Sequence, residues 1–193
     1  MDNGCFDIGR ASKLDSEGRI NELRPNELLK DVARIVSGMV CIDFGSGTGT
    51  FSLPMAQLVG NKGKVYAIDK SADMLEHIRA KKTPTNLILI KRDAEQTGLE
   101  SGIADFCLMA FILHEVKSPH SVITEASRLL KPGGSVMVVE WKSRLDSPGP
   151  PRSSRIAKEQ IELLFRQAGL AFVEHIEWSK NHYVVIGHKE NSS

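Results

Sequence analysis

Cysteine is scarce in this chain of 193 residues, at three. Cys5, Cys41 and Cys107 are too few and too scattered for a disulfide framework or a zinc site, so no metal is expected. Cys41 and Cys107 fall inside apolar runs, where cysteine behaves as a small buried hydrophobe; Cys5 lies in a poorly patterned amino-terminal arm. Charge of one sign is also missing. Lys plus Arg is 25 against 24 Asp plus Glu, a net charge of +1, which leaves no electrostatic footprint for nucleic acid, and DNA is not expected as a partner. The pairs Lys81-Lys82 and Lys91-Arg92 read as solvated surface. Apolar runs reach strand length only, far short of a membrane span, and no signal peptide is recognised. No membrane insertion and a cytoplasmic location are the corresponding expectations. Internal repeats and low-complexity blocks are absent. With 41% apolar and 25% charged residues, the composition is that of a globular domain able to bury a core.

What is present is concentrated in Val40-Cys41-Ile42-Asp43-Phe44-Gly45-Ser46-Gly47-Thr48-Gly49. An apolar strand ends in an acid, and a Gly-x-Gly-x-Gly loop then opens into a helix. Bare backbone in such a loop can approach a ligand closely. Asp43 would repel a pyrophosphate and suit a ligand bearing an ammonium group. S-adenosylmethionine is such a ligand, with an ammonium, a sulfonium and no phosphate. A nicotinamide fingerprint needs a third glycine at position 50, which is Thr50. The loop therefore reads as a methyl-donor site, with a dinucleotide site as the weaker alternative.

Strands and helices alternate along the chain. Candidate strands are Met39 to Phe44, Lys64 to Asp69, Asn86 to Ile90, Asp105 to Ala110 and Ser135 to Trp141, nearly continuous in apolar residues as buried parallel strands are. Helical spacing links Leu28, Val32, Ile35 and Val36 after Pro25, and Phe51, Met55, Leu58 and Val59 after the glycine loop. Ser71 caps a helix with Met74, Leu75 and Ile78. Ser118-Pro119 opens another with Val122, Ala126, Leu129 and Leu130, which Lys131-Pro132-Gly133-Gly134 ends. A last helix carries Ile161, Leu164, Phe165 and Ala168 up to Gly169. Leu170 to Trp178 and His182 to Gly187, separated by three residues, predict an antiparallel hairpin. The fold class expected is α/β, a Rossmann-like doubly wound sheet. Asp43, Asp69, Ala110 and Glu140 would then share the rim at the carboxyl ends of the strands. Ser143 to Arg155, rich in Pro, Ser and Arg, reads as an irregular loop over that rim.

In these motifs the chain resembles the class I S-adenosylmethionine-dependent methyltransferases, in particular the group similar to quinone-biosynthesis C-methyltransferases (methyltransferase type 11). Asp43 to Gly49 carries the first motif and Val65 to Asp69, with Ser71 and Met74, the second. Arg92-Asp93-Ala94-Glu95 carries the third, Ala104 to Glu115 the fourth, and Leu130 to Gly134 the signature before strand five. The resemblance covers about Asn26 to Lys189. It implies seven strands, the last antiparallel, with S-adenosyl-L-methionine as cofactor. It also implies donor contacts at Asp43, Gly45, Ser46, Gly47, Thr48, Gly49, Asp69, Lys70, Met74, Asp93, Ala94, Ala110 and Phe111. Asp69 would accept from the ribose hydroxyls and Asp43 would face the ammonium, directly or through water. Asp93 would accept from the adenine amino group, Met74 would cover the ring, and Phe111 would line the sulfonium end.

The implied activity is methyl transfer to a small or lipid-like acceptor at carbon or oxygen, by a monomer or homodimer. A non-catalytic module sensing the donor or its demethylated product, and methylation of RNA or protein, are the alternatives. An acidic acceptor needs a base, and His114 and Glu140 are the catalytic candidates, with Glu115, His182 and Tyr183 near them in sequence. Plainer roles for Glu115 and His182 are a helix cap and a hairpin surface residue. Ala110-Phe111-Ile112-Leu113 lacks the Pro-Pro-aromatic segment of the enzymes that methylate DNA amines. Domain boundaries are expected at an arm of residues 1–24, a methyltransferase domain of 25–189 and a disordered tail of 190–193. The arm, from Asp7 to Arg24, is a candidate lid. Ala157 stands where similar proteins place a capping Ser or Thr, so the helix near Lys158 is expected to start uncapped.

Overall fold

The computed structural model describes residues 11–143 and 149–191. Cys5, the first part of the arm and the middle of the Ser143 to Arg155 loop lie outside the described residues. The chain falls into two compact units, one up to Ala94 and the other from Glu95.

The first unit begins with two short helices, α1 (Ala11–Leu14) and α2 (Glu17–Leu23). A third, α3 (Pro25–Glu27), starts with proline in its first turn and widens into a π-helical turn over Leu28–Val32. The turn closes through Ile35 N–H donating to the Leu29 carbonyl, with Arg34 left-handed at φ 55°. Ile35 is buried as its spacing predicts, but Val36 is exposed, because the helix has ended before it. Three parallel strands follow in the order β3-β2-β1: β1 (Val40–Phe44), β2 (Lys64–Asp69) and β3 (Leu87–Lys91). Helix α4 (Ser52–Val59) packs on all three strands and α5 (Ala72–Arg79) on β2 and β3. Met74, Leu75 and Ile78 bury one face of α5, and Ser71 Oγ accepts from Met74 N–H as the expected cap. Such a cap typically contributes about 1 kcal/mol.

The second unit has β4 (Ala104–Ala110), β5 (Leu130–Trp141), β6 (Leu170–Glu177) and β7 (His182–Lys189), in the order β4-β5-β7-β6. Strand β4 is parallel to β5, whereas β7 is antiparallel to both neighbours. The hairpin and the mostly parallel α/β class are as the sequence predicts. Helix α6 (Pro119–Leu129) packs on β5 and on α7 (Lys158–Gln167), which in turn packs on β6 and β7. Most strand ends agree to within one residue, and two differ by more. Leu130 already pairs with Ala104, and the register then jumps so that Ser135 faces Phe106. Lys131-Pro132-Gly133-Gly134 is thus a bulge inside β5, not a turn before it. The strand pair tolerates it because a bulge accommodates residues that cannot donate to the ladder. Strand β7 also runs two residues past Gly187. Ala157 provides no cap to α7, and Ser154 Oγ donates instead to the Pro151 carbonyl. Among the described residues, no helix is long and apolar enough to cross a membrane.

Candidate active site

In the first unit, the chain leaves β1 at Asp43-Phe44 and enters the glycine loop. Gly45, Gly47 and Gly49 have φ of 67°, 51° and 83°. Such angles strain any residue with a side chain. A Cβ on Gly49 would also meet Ile78 Cγ1 at 3.1 Å, so a side chain here would strain the backbone and also press on the Ile78 side chain. The loop is fastened to β2 at two points. Ser46 N–H donates to the Ile68 carbonyl at 2.9 Å, and Gly47 N–H donates to Asp69 Oδ2 at 2.9 Å. Asp69 Oδ1 accepts from Ser71 N–H at 2.8 Å. Each carboxylate oxygen of Asp69 can still accept a further hydrogen bond.

Asp43 is only 2% exposed, and Ser52 Oγ donates to its Oδ2 at 2.5 Å. Burial pushes its carboxyl up to about 7; the Ser52 hydrogen bond opposes the rise and the charge of Asp69 adds to it. A buried acid with a second acid close by favours a cationic ligand, which would relieve both. Ser46 Oγ is buried and has no hydrogen-bond partner among the described residues. An orphaned hydroxyl of this kind calls for an external partner. The acid pair, the half-buried backbone of Gly45 and Gly47 and the orphaned hydroxyl fit a donor that bears an ammonium and ribose hydroxyls, such as S-adenosylmethionine. Of the other residues that the resemblance assigns to the donor, Lys70 and Asp93 are exposed and Ala94 is buried. Met74 is fully buried in the core of its unit.

Sequence reasoning missed a set of side chains around the same loop. Thr48 Oγ1 donates to Asp15 Oδ1 at 2.7 Å, Lys81 Nζ donates to Asp15 Oδ2 at 2.7 Å, and His77 Nε2 lies 2.8 Å from Oδ2. Lys81 Nζ also donates to the Thr48 carbonyl at 2.8 Å. These contacts lower the pKa of Asp15 against the opposing effect of burial. Their sequence separations of 33, 62 and 66 residues leave no local pattern to read.

In the second unit, Ala110 ends β4 and Phe111 turns the chain with φ 61°, its N–H donating to the Val139 carbonyl at 2.9 Å. A left-handed aromatic residue is strained, and such strain gathers at functional sites. The turn carries His114 to the end of β5. There, His114 Nδ1 lies 3.0 and 2.9 Å from the two oxygens of Glu140, and His114 N–H donates to Glu140 Oε1 at 3.3 Å. Glu140 is 1% exposed and also accepts from Trp141 N–H. Burial pulls the pKa of His114 down, but the hydrogen bond and charge of Glu140, aided by Glu115, outweigh it; Arg155 opposes them, and the net shift is upward. Nδ1 faces a carboxylate, so it carries the proton in neutral imidazole and Nε2 is left as the basic nitrogen. Glu115 is exposed, with Oε1 3.7 Å from Nε2.

His182 is not a surface residue: it is buried, edge-on to Trp141 at 4.3 Å and to Phe111 at 5.0 Å between ring centroids. Register explains this, since His182 pairs with Trp141 and Tyr183 with Glu140 across β5 and β7. Tyr183 donates to the Ile156 carbonyl. Arg155 lies over Trp141, 5.8 Å from the ring centroid. No cluster of metal-ligating side chains occurs among the described residues.

Residues 42–138 match the family model described as a methyltransferase domain. The chain is 33% identical over 115 residues to a demethylmenaquinone methyltransferase of Staphylococcus aureus (strain MRSA252), covering 58% of this chain and 47% of that protein. It is 32% identical over 108 residues to a ubiquinone/menaquinone biosynthesis C-methyltransferase of Shewanella sediminis (strain HAW-EB3), covering 54% and 43%. The chain thus spans about half the length of these curated relatives. A SAM-dependent methyltransferase from Aquifex aeolicus has a similar solved structure, with a TM-score of 0.87, 28% identity and coverage of 95% of this chain and 98% of that one.

Proposed function

The chain belongs to the methyltransferase-domain family, and from that premise we propose that it is an S-adenosylmethionine-dependent methyltransferase acting on a small, lipid-like acceptor with an acidic hydroxyl, such as a quinol. Asp43, the Gly45 to Gly49 loop and Asp69 hold the donor. The donor supplies an activated methyl group on a sulfonium. Asp69 keeps acceptor capacity for the ribose hydroxyls beyond its two backbone bonds, Ser46 Oγ gains the partner it otherwise lacks, and Asp43 balances the ammonium from below the loop. Strong charge beside the sulfonium would favour the ground state, and the resemblance of the motif at Ala110-Phe111 assigns an uncharged side chain, Phe111, to that end of the donor. We also assign Lys70, Met74, Asp93, Ala94 and Ala110 to the donor side on the resemblance of their motifs.

The observation that carries the chemistry is the buried pair of His114 and Glu140. Glu140 holds the Nδ1 proton and fixes the ring, so that Nε2 can take a proton from the acceptor hydroxyl; the imidazolium formed is stabilised by the carboxylate. Deprotonation makes the acceptor electron-rich enough to attack the methyl carbon. The quinone-related names of the similar curated enzymes support a quinol-like acceptor. The test is transfer of a labelled methyl group from S-adenosylmethionine into a cell extract separated into lipid-soluble and macromolecular fractions. Label should enter the lipid-soluble fraction and drop by about 10²–10⁴-fold with His114→Gln. Label in the macromolecular fraction would move the acceptor to RNA or protein.

A further inference from the structure

The amino-terminal segment bonds to the glycine loop at Thr48 and Thr50 and comes close to it at Gly47. A Cβ on Gly47 would lie 3.7 Å from Leu14 Cδ1. Asp15 holds the Thr48 hydroxyl, and Arg19 Nη1 donates to Thr50 Oγ1 at 3.3 Å and to the Leu14 carbonyl at 2.9 Å. Two charged side chains of one strap thus grip the two threonines on either side of Gly49. Lys81 and His77, from the end of α5 and just beyond it, close the latch on the other oxygen of Asp15.

We propose that Asp15 is a positioning residue for the methyl donor, latching the strap of residues 11–23 onto the glycine loop so that the loop is ordered before the donor arrives. The proposal rests on the donor reading of that loop. Three glycines give the loop wide conformational freedom, and a loop ordered only on binding weakens affinity by the cost of ordering it. Ion pairs as open to water as this one add little to global stability. Their effect is local, on the segment they tie down. The carboxylate is suited to this because it accepts from the loop hydroxyl with one oxygen and from Lys81 with the other. Lys81 in turn donates to the Thr48 carbonyl, so side chain and backbone of one loop residue are fixed together.

The full chain tests this with Asp15→Ala, Asp15→Asn and Thr48→Val, using S-adenosylhomocysteine as the binding probe. Amide exchange of residues 46–50 without ligand should speed up in Asp15→Ala, and the dissociation constant should rise about tenfold. Asp15→Asn, which keeps an acceptor for Thr48 and loses the charge, should fall between Asp15→Ala and wild type. The donor KM should rise more than kcat falls, a split that general destabilisation would not produce. The Asp15→Ala effect should shrink in a Thr48→Val background, as coupled residues require. A lower melting temperature with unchanged exchange and unchanged affinity would overturn the proposal and leave the donor site standing. Failure of the wild-type chain to bind S-adenosylhomocysteine would overturn both.

Discussion

Buried at the end of β1 with Asp69 near it, the Asp43 carboxyl titrates at about 7 when no cation faces it. Its folded value lies above the unfolded value of about 3.9. The stability it contributes is therefore full below about pH 4 and is lost as pH rises through 7. Asp43→Asn keeps an acceptor for Ser52 and removes the charge, so the ligand-free variant should lose less stability than wild type between pH 5 and pH 8 in scanning calorimetry. Parallel losses would show that burial of this acid carries no such cost. His114 shifts upward too, and its base function needs the neutral ring. The acid limb of kcat/KM should then lie above the ordinary histidine value of about 6.5. Glu140→Gln should move that limb down and lower the rate; an unmoved limb would remove Glu140 from the account. Asp43 and Asp69 were legible because both are acids placed at the end of an apolar strand. Asp15 and Ser52 were not, since their partners meet them only through the fold.

Elements were legible where periodicity and punctuation agree. Lys64–Asp69 has the bounds its pattern predicts, and Ser71 and Ser118 cap the helices they precede. The extension of β5 back to Leu130 was hidden because Pro132 and two glycines read as a turn, and only pairing with β4 turns them into a bulge. Phe111 stood out in the sequence only through the resemblance of its motif, and its left-handed backbone has no sequence signature outside glycine and asparagine. The contact between β7 and α7 rests on another local detail: a Cβ on Gly187 would lie 2.5 Å from Phe165 Cδ2. Gly187→Ala forces that buried ring aside, at about 1–3 kcal/mol. The melting temperature should fall by about 2–4 °C per kcal/mol. An unchanged melting temperature would mean that the ring has room the packing does not reveal.

At the scale of the whole chain, charge balance and strand-length apolar runs narrowed the classes, and the order of motifs named the family. The acceptor was less legible. The residues proposed for the acceptor side lie on a turn and a hairpin whose geometry depends on register, as the burial of His182 against Trp141 illustrates. The proposed chemistry depends first on donor binding by the glycine loop and Asp69. Calorimetric titration of wild type and Asp69→Ala with S-adenosylmethionine tests it most directly. Wild type should bind, and the variant should bind at least about tenfold more weakly, through loss of charged hydrogen bonds to the ribose and to the loop. Equal affinity in the two proteins, or no binding by wild type, would contradict donor binding at this site.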